Sequence, residues 1–414
     1  MHEPFKQSPV AKCTRRALFG GAIAGAVVMT PGCSFVNRFG EIPEGKLAES
    51  IHTSPNWIDG EFRNQQPTSV MVGKDGFVEA WWKFLTNSTP DLKPAAPLPC
   101  THTDLSALDP SRDIAVWLGL YFQLAGLRFL VDPVYSAYAS PVSFINKSFE
   151  FRGGYPFTAK TTPPIDLLIL THDHWDHLDC ETIKALDHKV KRYAVPLGVN
   201  SHLLAWGINP DKILVFDWYD AARFTEPKPE VVHPFHKPEK RLQPAEWKSG
   251  ALQAPAIYFF PSRHFSGRTL KRDQTLWGSY VIEAGGKRLY LSGDGGNGPH
   301  FKEIGDLFRD SGGFDLAFIE DGQYNADWAE IHMAPEGSVK AATEVGAKSV
   351  IPIHNCRYAL ARHAWYDPLE RIRMASHLAD WKLLTPKVGD VVPIGDLTIE
   401  FPAWWRDVPK SASS

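Results

Sequence analysis

An α/β fold is what this 414-residue sequence predicts, on three observations. Short apolar runs of strand length recur from residue 114 onward, and segments of helical spacing alternate with several of them. A His or Asp stands just past the end of one run after another. Side chains drawn from strand ends far apart in sequence are how such a scaffold assembles a single site. Hydrophobic content of 43%, with 14 Trp and 24 Phe, is ample for a large core. A formal net charge of −3 and the lack of a basic stripe argue against nucleic acid as a partner.

Residues 1–32 have the make-up of an export signal. Lys12, Arg15 and Arg16 form a basic segment ahead of the apolar run 17–29, which is too short to span a bilayer. Thr14 to Phe19, reading TRRALF, resembles a twin-arginine signal, a route that carries folded proteins. Pro31-Gly32-Cys33 resembles a bacterial lipobox with Cys33 as the acylated residue, although Thr30 stands where a larger aliphatic is usual. The expectation is an exported, periplasmic cell-envelope protein held to a membrane surface through Cys33. A plain signal peptide and an uncleaved anchor are the alternatives. Cys100, Cys180 and Cys356 then remain, an odd set that predicts small buried thiols and no disulfide framework.

Residues 33–110 are rich in Pro, Asn, Ser and Thr and predict a tether and a wrapping extension, with a helix-like stretch over 77–85. A domain over 111–405 and a tail over 406–414 complete the chain. The domain opens on a predicted hairpin, Ile114 to Asp132, turning at Ala125-Gly126. Ile165 to Asp179 (IDLLILTHDHWDHLD) is a buried strand that runs into His172, His174, Asp176 and His177. Alternate strand residues share a side, so His172 and His174 can aim at one point and Asp176 and His177 at a second. Imidazole and carboxylate are the ligands that zinc and similar ions take.

A helix over 181–189 and strands at 193–196 and 213–216 should follow. Between Ala221 and Leu252 comes a Pro-rich insertion of lid or binding-loop character, whose His233 and His236 lack ligand partners at strand-end spacing. A strand over 256–261 leads to His264. A hairpin turning at Gly285-Gly286 leads to Asp294, which lies between glycines. A strand over 314–320, a helix over 335–345, a strand over 349–353 ending at His354, a helix over 368–381 and a closing strand pair around 391–401 finish the prediction.

His172 to His177 matches the H-x-H-x-D-H signature of the metallo-β-lactamase superfamily. The longer THDHWDHLD is similar to the N-acyl phosphatidylethanolamine phospholipase D branch, with Trp175 in place of Tyr. PSRHFSGR around His264, SGDGG around Asp294 and PIHN at His354 extend the resemblance over roughly residues 110–385. It implies an αββα four-layer sandwich: two mixed sheets face to face, with helices outside. It also implies two divalent ions, Zn first among them. One would be held by His172, His174 and His264, the other by Asp176, His177 and His354, with Asp294 bridging.

The implied chemistry is hydrolysis of a phosphodiester, on a phospholipid-like or other small substrate, by a hydroxide shared between the ions. Asp176 and His332 are the implied catalytic residues, His332 orienting the phosphate or protonating the leaving group. Asp132 matches an Asp near the metals, and is equally a turn-initiating Asp before Pro133. Leu120 stands where relatives carry a pocket His, and DGQYN around Gln323 and Tyr324 departs from the phospholipase pattern. Lactone or β-lactam hydrolysis on the same metals, or a non-catalytic envelope lipoprotein, are the competing readings.

Overall fold

The computed structural model describes residues 35–72, 89–117, 120–225, 229, 231–232 and 255–411. The export segment with Cys33, the predicted helix over 77–85 and most of the Pro-rich insertion, with His233 and His236, lie outside these residues.

The strands are β1 (Trp57–Ile58), β2 (Glu61–Phe62), β3 (Ile114–Val116), β4 (Tyr121–Leu124), β5 (Leu127–Val131) and β6 (Ile165–Ile169). β7 (Val190–Pro196), β8 (Ile213–Phe216), β9 (Ala221–Ala222), β10 (Val231–Val232), β11 (Ala256–Phe260) and β12 (Ser279–Ala284) follow. β13 (Lys287–Leu291), β14 (Leu316–Glu320), β15 (Ser349–Ile353), β16 (Lys382–Leu383) and β17 (Val391–Pro393) complete the set. Seven form one sheet in the order β17-β3-β4-β5-β6-β7-β8, and eight form another, β10-β9-β11-β12-β13-β14-β15-β16. Each sheet is mixed. It is antiparallel at first and becomes parallel over β5 to β8 and over β13 to β16.

This is the αββα sandwich, and side-chain alternation explains it. On β11, Ile257 and Phe259 join the core shared by both sheets, whereas Tyr258 and Phe260 join a separate cluster under the helices. Phe122 stacks on Phe129 at 4.5 Å within the first sheet and reaches Phe318 of the second at 6.3 Å. Helices His300–Arg309 and Pro335–Val345 cover the outer face of the second sheet with Phe301, Ile304, Phe308, Ala341 and Val345. The second of these begins on Pro335 and ends at Gly346, whose φ of 79° caps it.

Several expectations are corrected. The predicted hairpin over 114–132 is three strands, because the first run breaks before Leu120, whose φ is 28°. The C-terminal helix stops at Ala375 with a 3-10 turn to Leu378, because Leu378 is exposed and no burial holds a further turn. Only β17 forms of the closing pair, since Asp396 accepts from the N–H and hydroxyl of Thr398 and turns the chain out of the ladder. Helices Val199–Ala205 and His300–Arg309 had no predicted counterpart. Cys180 is disulfide-bonded, its partner outside the described residues, whereas Cys356 is a buried free thiol and Cys100 is free and partly exposed.

Candidate metal centre

Six of the strand ends deliver functional groups to one rim. Beyond β6, the backbone N–H groups of His177 and Leu178 both donate to the His174 carbonyl, at 3.1 and 2.8 Å, which curls HDHWDHL into a tight loop. Asp179 ends it by capping helix Cys180–Leu186. β5, β11, β13, β14 and β15 bring Asp132, His264, Asp294, Glu320 and His354 to the same place. Gly293 (φ 59°) turns the chain into Asp294, and a Cβ on Gly296 would lie 1.9 Å from the Glu330 carbonyl oxygen.

The structure brings together all seven side chains singled out as ligands. Ligand atoms of His172, His174 and His264 lie within 4.8 Å of one another, as do those of Asp176, His177, Asp294 and His354. The first trio could hold one cation and the second group another. His264 Nε2 faces His174 Nδ1 at 3.1 Å. Asp294 Oδ2 lies 3.1 Å from Nε2 of both His177 and His354 and 3.9 Å from Nε2 of His172, so it stands between the two groups.

Three of the five imidazoles, those of His177, His264 and His354, are also held from behind by a carboxylate or a carbonyl oxygen, which selects the nitrogen that faces inward. His177 Nδ1 meets Asp132 Oδ2 at 2.8 Å, and Asp132 also accepts from the N–H and hydroxyl of Thr171. Asp132 is therefore more than a turn residue. His264 Nδ1 meets the Ile331 carbonyl at 3.1 Å, and His354 Nδ1 lies 3.4 Å from Glu320 Oε1. Glu320 is fully buried and also pairs with Nδ1 of His332. The sequence reasoning passed over Glu320, although a lone acid ending the apolar run FDLAFIE was a visible signal.

Two further groups went unnoticed. Asp173, the variable residue of the motif, accepts from Gly267 N–H, Ser266 hydroxyl and Thr275 hydroxyl at 3.0–3.1 Å and so ties the loop to the β11 exit. Arg268 donates to the carbonyls of Asp173 (3.1 Å), Leu178 (2.6 Å) and Arg38 (2.5 Å), and its guanidinium lies 4.1 Å over the Trp175 ring. Phe39 packs edge-on against the same ring.

Burial would raise the Asp294 carboxyl, but the His177 and His354 imidazoles against it prevail and hold it well below the usual carboxylate range. Asp176 is lowered against its burial in the same way, by His177 and His354. His172 and His264 are pushed well down, by burial first and then by neighbouring imidazoles. Burial would lower the His177 and His354 imidazoles, but Asp294 and Asp176 hold both above their usual range, so a divalent cation here would meet neutral imidazole at His172 and His264 and displace protons from His177 and His354. His172 Nε2, His177 Nε2 and Asp294 Oδ1 are moreover buried without a hydrogen-bond partner. Left so, they would carry a full desolvation penalty; two cations would satisfy them, so the residues fit the ions.

The centre opens on two sides. An outer cleft is bounded by Val70, Met71, Phe265, Trp328 and His332, and His332 thus lies beside the cluster. An inner cavity of about 110 Å³ runs between Trp117, Leu120, Val134, Tyr155, Arg357 and Leu360. Gln323 lines both, whereas Tyr324 turns away to bond Asp367 and stack on His363. Asp132, Gln323 and His354 all hold positive φ (43°, 56° and 65°), strain of the kind that gathers at functional sites.

A sandwich whose strand ends assemble two adjoining His/Asp cages defines a metal-dependent hydrolase class. The chain belongs to the β-lactamase superfamily domain family, whose model matches residues 127–355. It is 32% identical over 362 residues to the uncharacterized protein Rv0906 of Mycobacterium tuberculosis, covering 85% of this chain and 88% of that one. It is 50% identical over 98 residues to the outer membrane protein RomA of Klebsiella pneumoniae, covering 24% of this chain and 72% of RomA. Similarity also extends to the N-acyl-phosphatidylethanolamine-hydrolyzing phospholipase D 1 of Caenorhabditis elegans, at 27% identity over 68% of this chain and 76% of that one.

Proposed function

We propose that this hydrolase is a zinc-dependent phosphodiesterase acting on a phospholipid-like substrate. The observation that carries the reading is His332. It lies in the outer cleft beside Asp294, with Nδ1 engaged by buried Glu320, so that Nε2 is left for the substrate. A group so placed suits reactions with a poor alkoxide leaving group, as phosphodiesters of lipids have. The similarity to a phospholipase D over 68% of the chain supports the same choice.

When bound, the two cations would activate water and polarise the phosphoryl oxygen. The protein's part is to orient and to exclude water. Asp132 and Glu320 fix the imidazoles of His177 and His354, Asp176 and Asp294 set the negative charge that fixes the ion pair, and His332 holds a proton at Nε2 for the departing oxygen. Phe265 and Trp328 wall the cleft. Export through the N-terminal signal and acylation at Cys33 would place the enzyme at an envelope membrane, where such substrates lie. The similarity to a protein named for the outer membrane supports that location.

The test is metal analysis of purified protein together with turnover of bis(p-nitrophenyl) phosphate, a lactone and nitrocefin. Two zinc ions per chain and hydrolysis of the phosphodiester are expected, with loss of turnover in His264→Ala. Preferential hydrolysis of the lactone or nitrocefin would overturn the phosphodiesterase reading, and fewer than one metal per chain would overturn the enzyme.

A further inference from the structure

The inner cavity has no part in the chemistry above, yet one wall contains a buried cation. Arg357 is 9% exposed, and its guanidinium lies 3.5 Å over the Tyr155 ring. Nη2 donates to the carbonyls of Val134 and Ser136 at 3.1 and 3.2 Å. Nη1 is buried and has no hydrogen-bond partner, and no carboxylate forms an ion pair with Arg357 among the described residues. A buried guanidinium normally has its donors answered: Arg288 meets Glu283 at 2.5 Å, and Arg268, which has no ion pair among the described residues either, gives its donors to the carbonyls of Arg38, Asp173 and Leu178, whereas Nη1 of Arg357 has no acceptor. The acids in the cavity wall do not answer Arg357, because Asp132 is turned to His177 and Asp176 to His354.

We propose that Arg357 is the receptor for a second anionic group of the substrate, seated in the inner cavity while the scissile phosphodiester lies at the cation pair. This deepens the proposed function and rests on it for the position of the scissile bond. Trp117, Leu120, Val131, Val134 and Leu291 give the cavity an apolar stretch of wall beside its polar Thr171, Gln323 and Asn355, and a short hydrocarbon stem lying on that stretch would take the group to Arg357. At about 110 Å³ the cavity is small beside the roughly 300–1,000 Å³ of pockets that enclose a whole small-molecule ligand. It therefore takes one compact arm of the substrate. With Nη2 given to two carbonyls, Nη1 is left to make a charge-assisted hydrogen bond to one oxygen of a carboxylate or a phosphate at that end.

Calorimetric titration of the zinc-loaded protein tests this without any turnover. Pentanedioate and 4-phosphonobutanoate carry two anionic ends, and pentanoate carries one. The dianions should bind at least tenfold tighter than pentanoate, and the better of the two identifies the anion. In Arg357→Met that preference should fall to within about twofold. Leu120→Trp adds bulk to the apolar lining of the cavity and leaves the arginine in the chain, and should abolish the preference as well, which decides the matter should Arg357→Met not fold. Equal binding of the three probes to the wild type, or a preference intact in either folded variant, overturns the inference. The preference together with failure to cleave bis(p-nitrophenyl) phosphate would sink the proposed reaction and leave the anion site standing.

Discussion

The Asp132 carboxylate accepts from Nδ1 of His177 at 2.8 Å and thereby turns Nε2 of that imidazole toward Asp294, 3.1 Å away. Residues 45 positions apart are linked this way because β5 and β6 run parallel and in register, Val131 opposite Ile169. Removing such a supporting carboxylate typically costs about 10–100-fold in metal affinity or activity. Asp132→Ala should therefore lose one of two bound metals under competition with a chelator, with the fold kept by circular dichroism. Retention of both metals at wild-type affinity would refute the orienting role.

Glu320 and His332 make a separate prediction about leaving groups. His332→Asn and Glu320→Gln should lower kcat by about 10²–10⁴-fold for phosphodiesters with an alkyl leaving group. p-Nitrophenolate departs without a proton, so its ester should suffer far less. Equal losses for both substrates would show that these residues act on binding alone.

Arg268 ties the N-terminal segment to the metal-binding loop. Arg268→Met would strip the Asp173, Leu178 and Arg38 carbonyls of a buried donor, at about 1–3 kcal/mol for each group left unpaired. Urea denaturation of the metal-free protein should show a loss of at least about 2 kcal/mol on that basis. Deletion of residues 35–41 should weaken metal binding in the same direction, because Phe39 also packs on Trp175. Unchanged stability and unchanged metal affinity together would count against the tie.

Asp273 gives stability a pH dependence. Burial pushes its carboxyl up to about 6, so in the folded protein it is neutral below that pH and ionised above it. The folded state therefore binds this proton more tightly than the unfolded chain. The stability this provides is fully present below about pH 4, the unfolded value, and is lost as pH rises through about 6. Asp273→Asn, tolerated at the left-handed φ of 58°, should raise Tm more at pH 8 than at pH 5. An equal shift at both pH values would show that the buried charge is not the cause.

The seven ligand candidates were legible in the sequence because they follow four apolar runs, four of them in the one loop after the strand at 165–169, and strand ends are where such a sheet exposes polar groups. The strand at 165–169 and the helix at 335–345 were legible for local reasons: an unbroken apolar run, and Pro335 paired with Gly346. Boundaries failed where burial decided them, as at exposed Leu378, where apolar spacing alone suggested two more turns of helix.

The order of side chains along the chain determined which chemistry is available: imidazoles and carboxylates in a pattern that binds metal, each at the end of a buried strand. What only the tertiary structure decided is which nitrogen of His177, His264 and His354 turns inward, that Glu320 stands behind His354 and His332, and that Arg357 lines the cavity with Nη1 unpartnered. Those facts depend on neighbours scores of residues away, brought close by the pairing of parallel strands. No local pattern of propensity or spacing encodes who those neighbours will be.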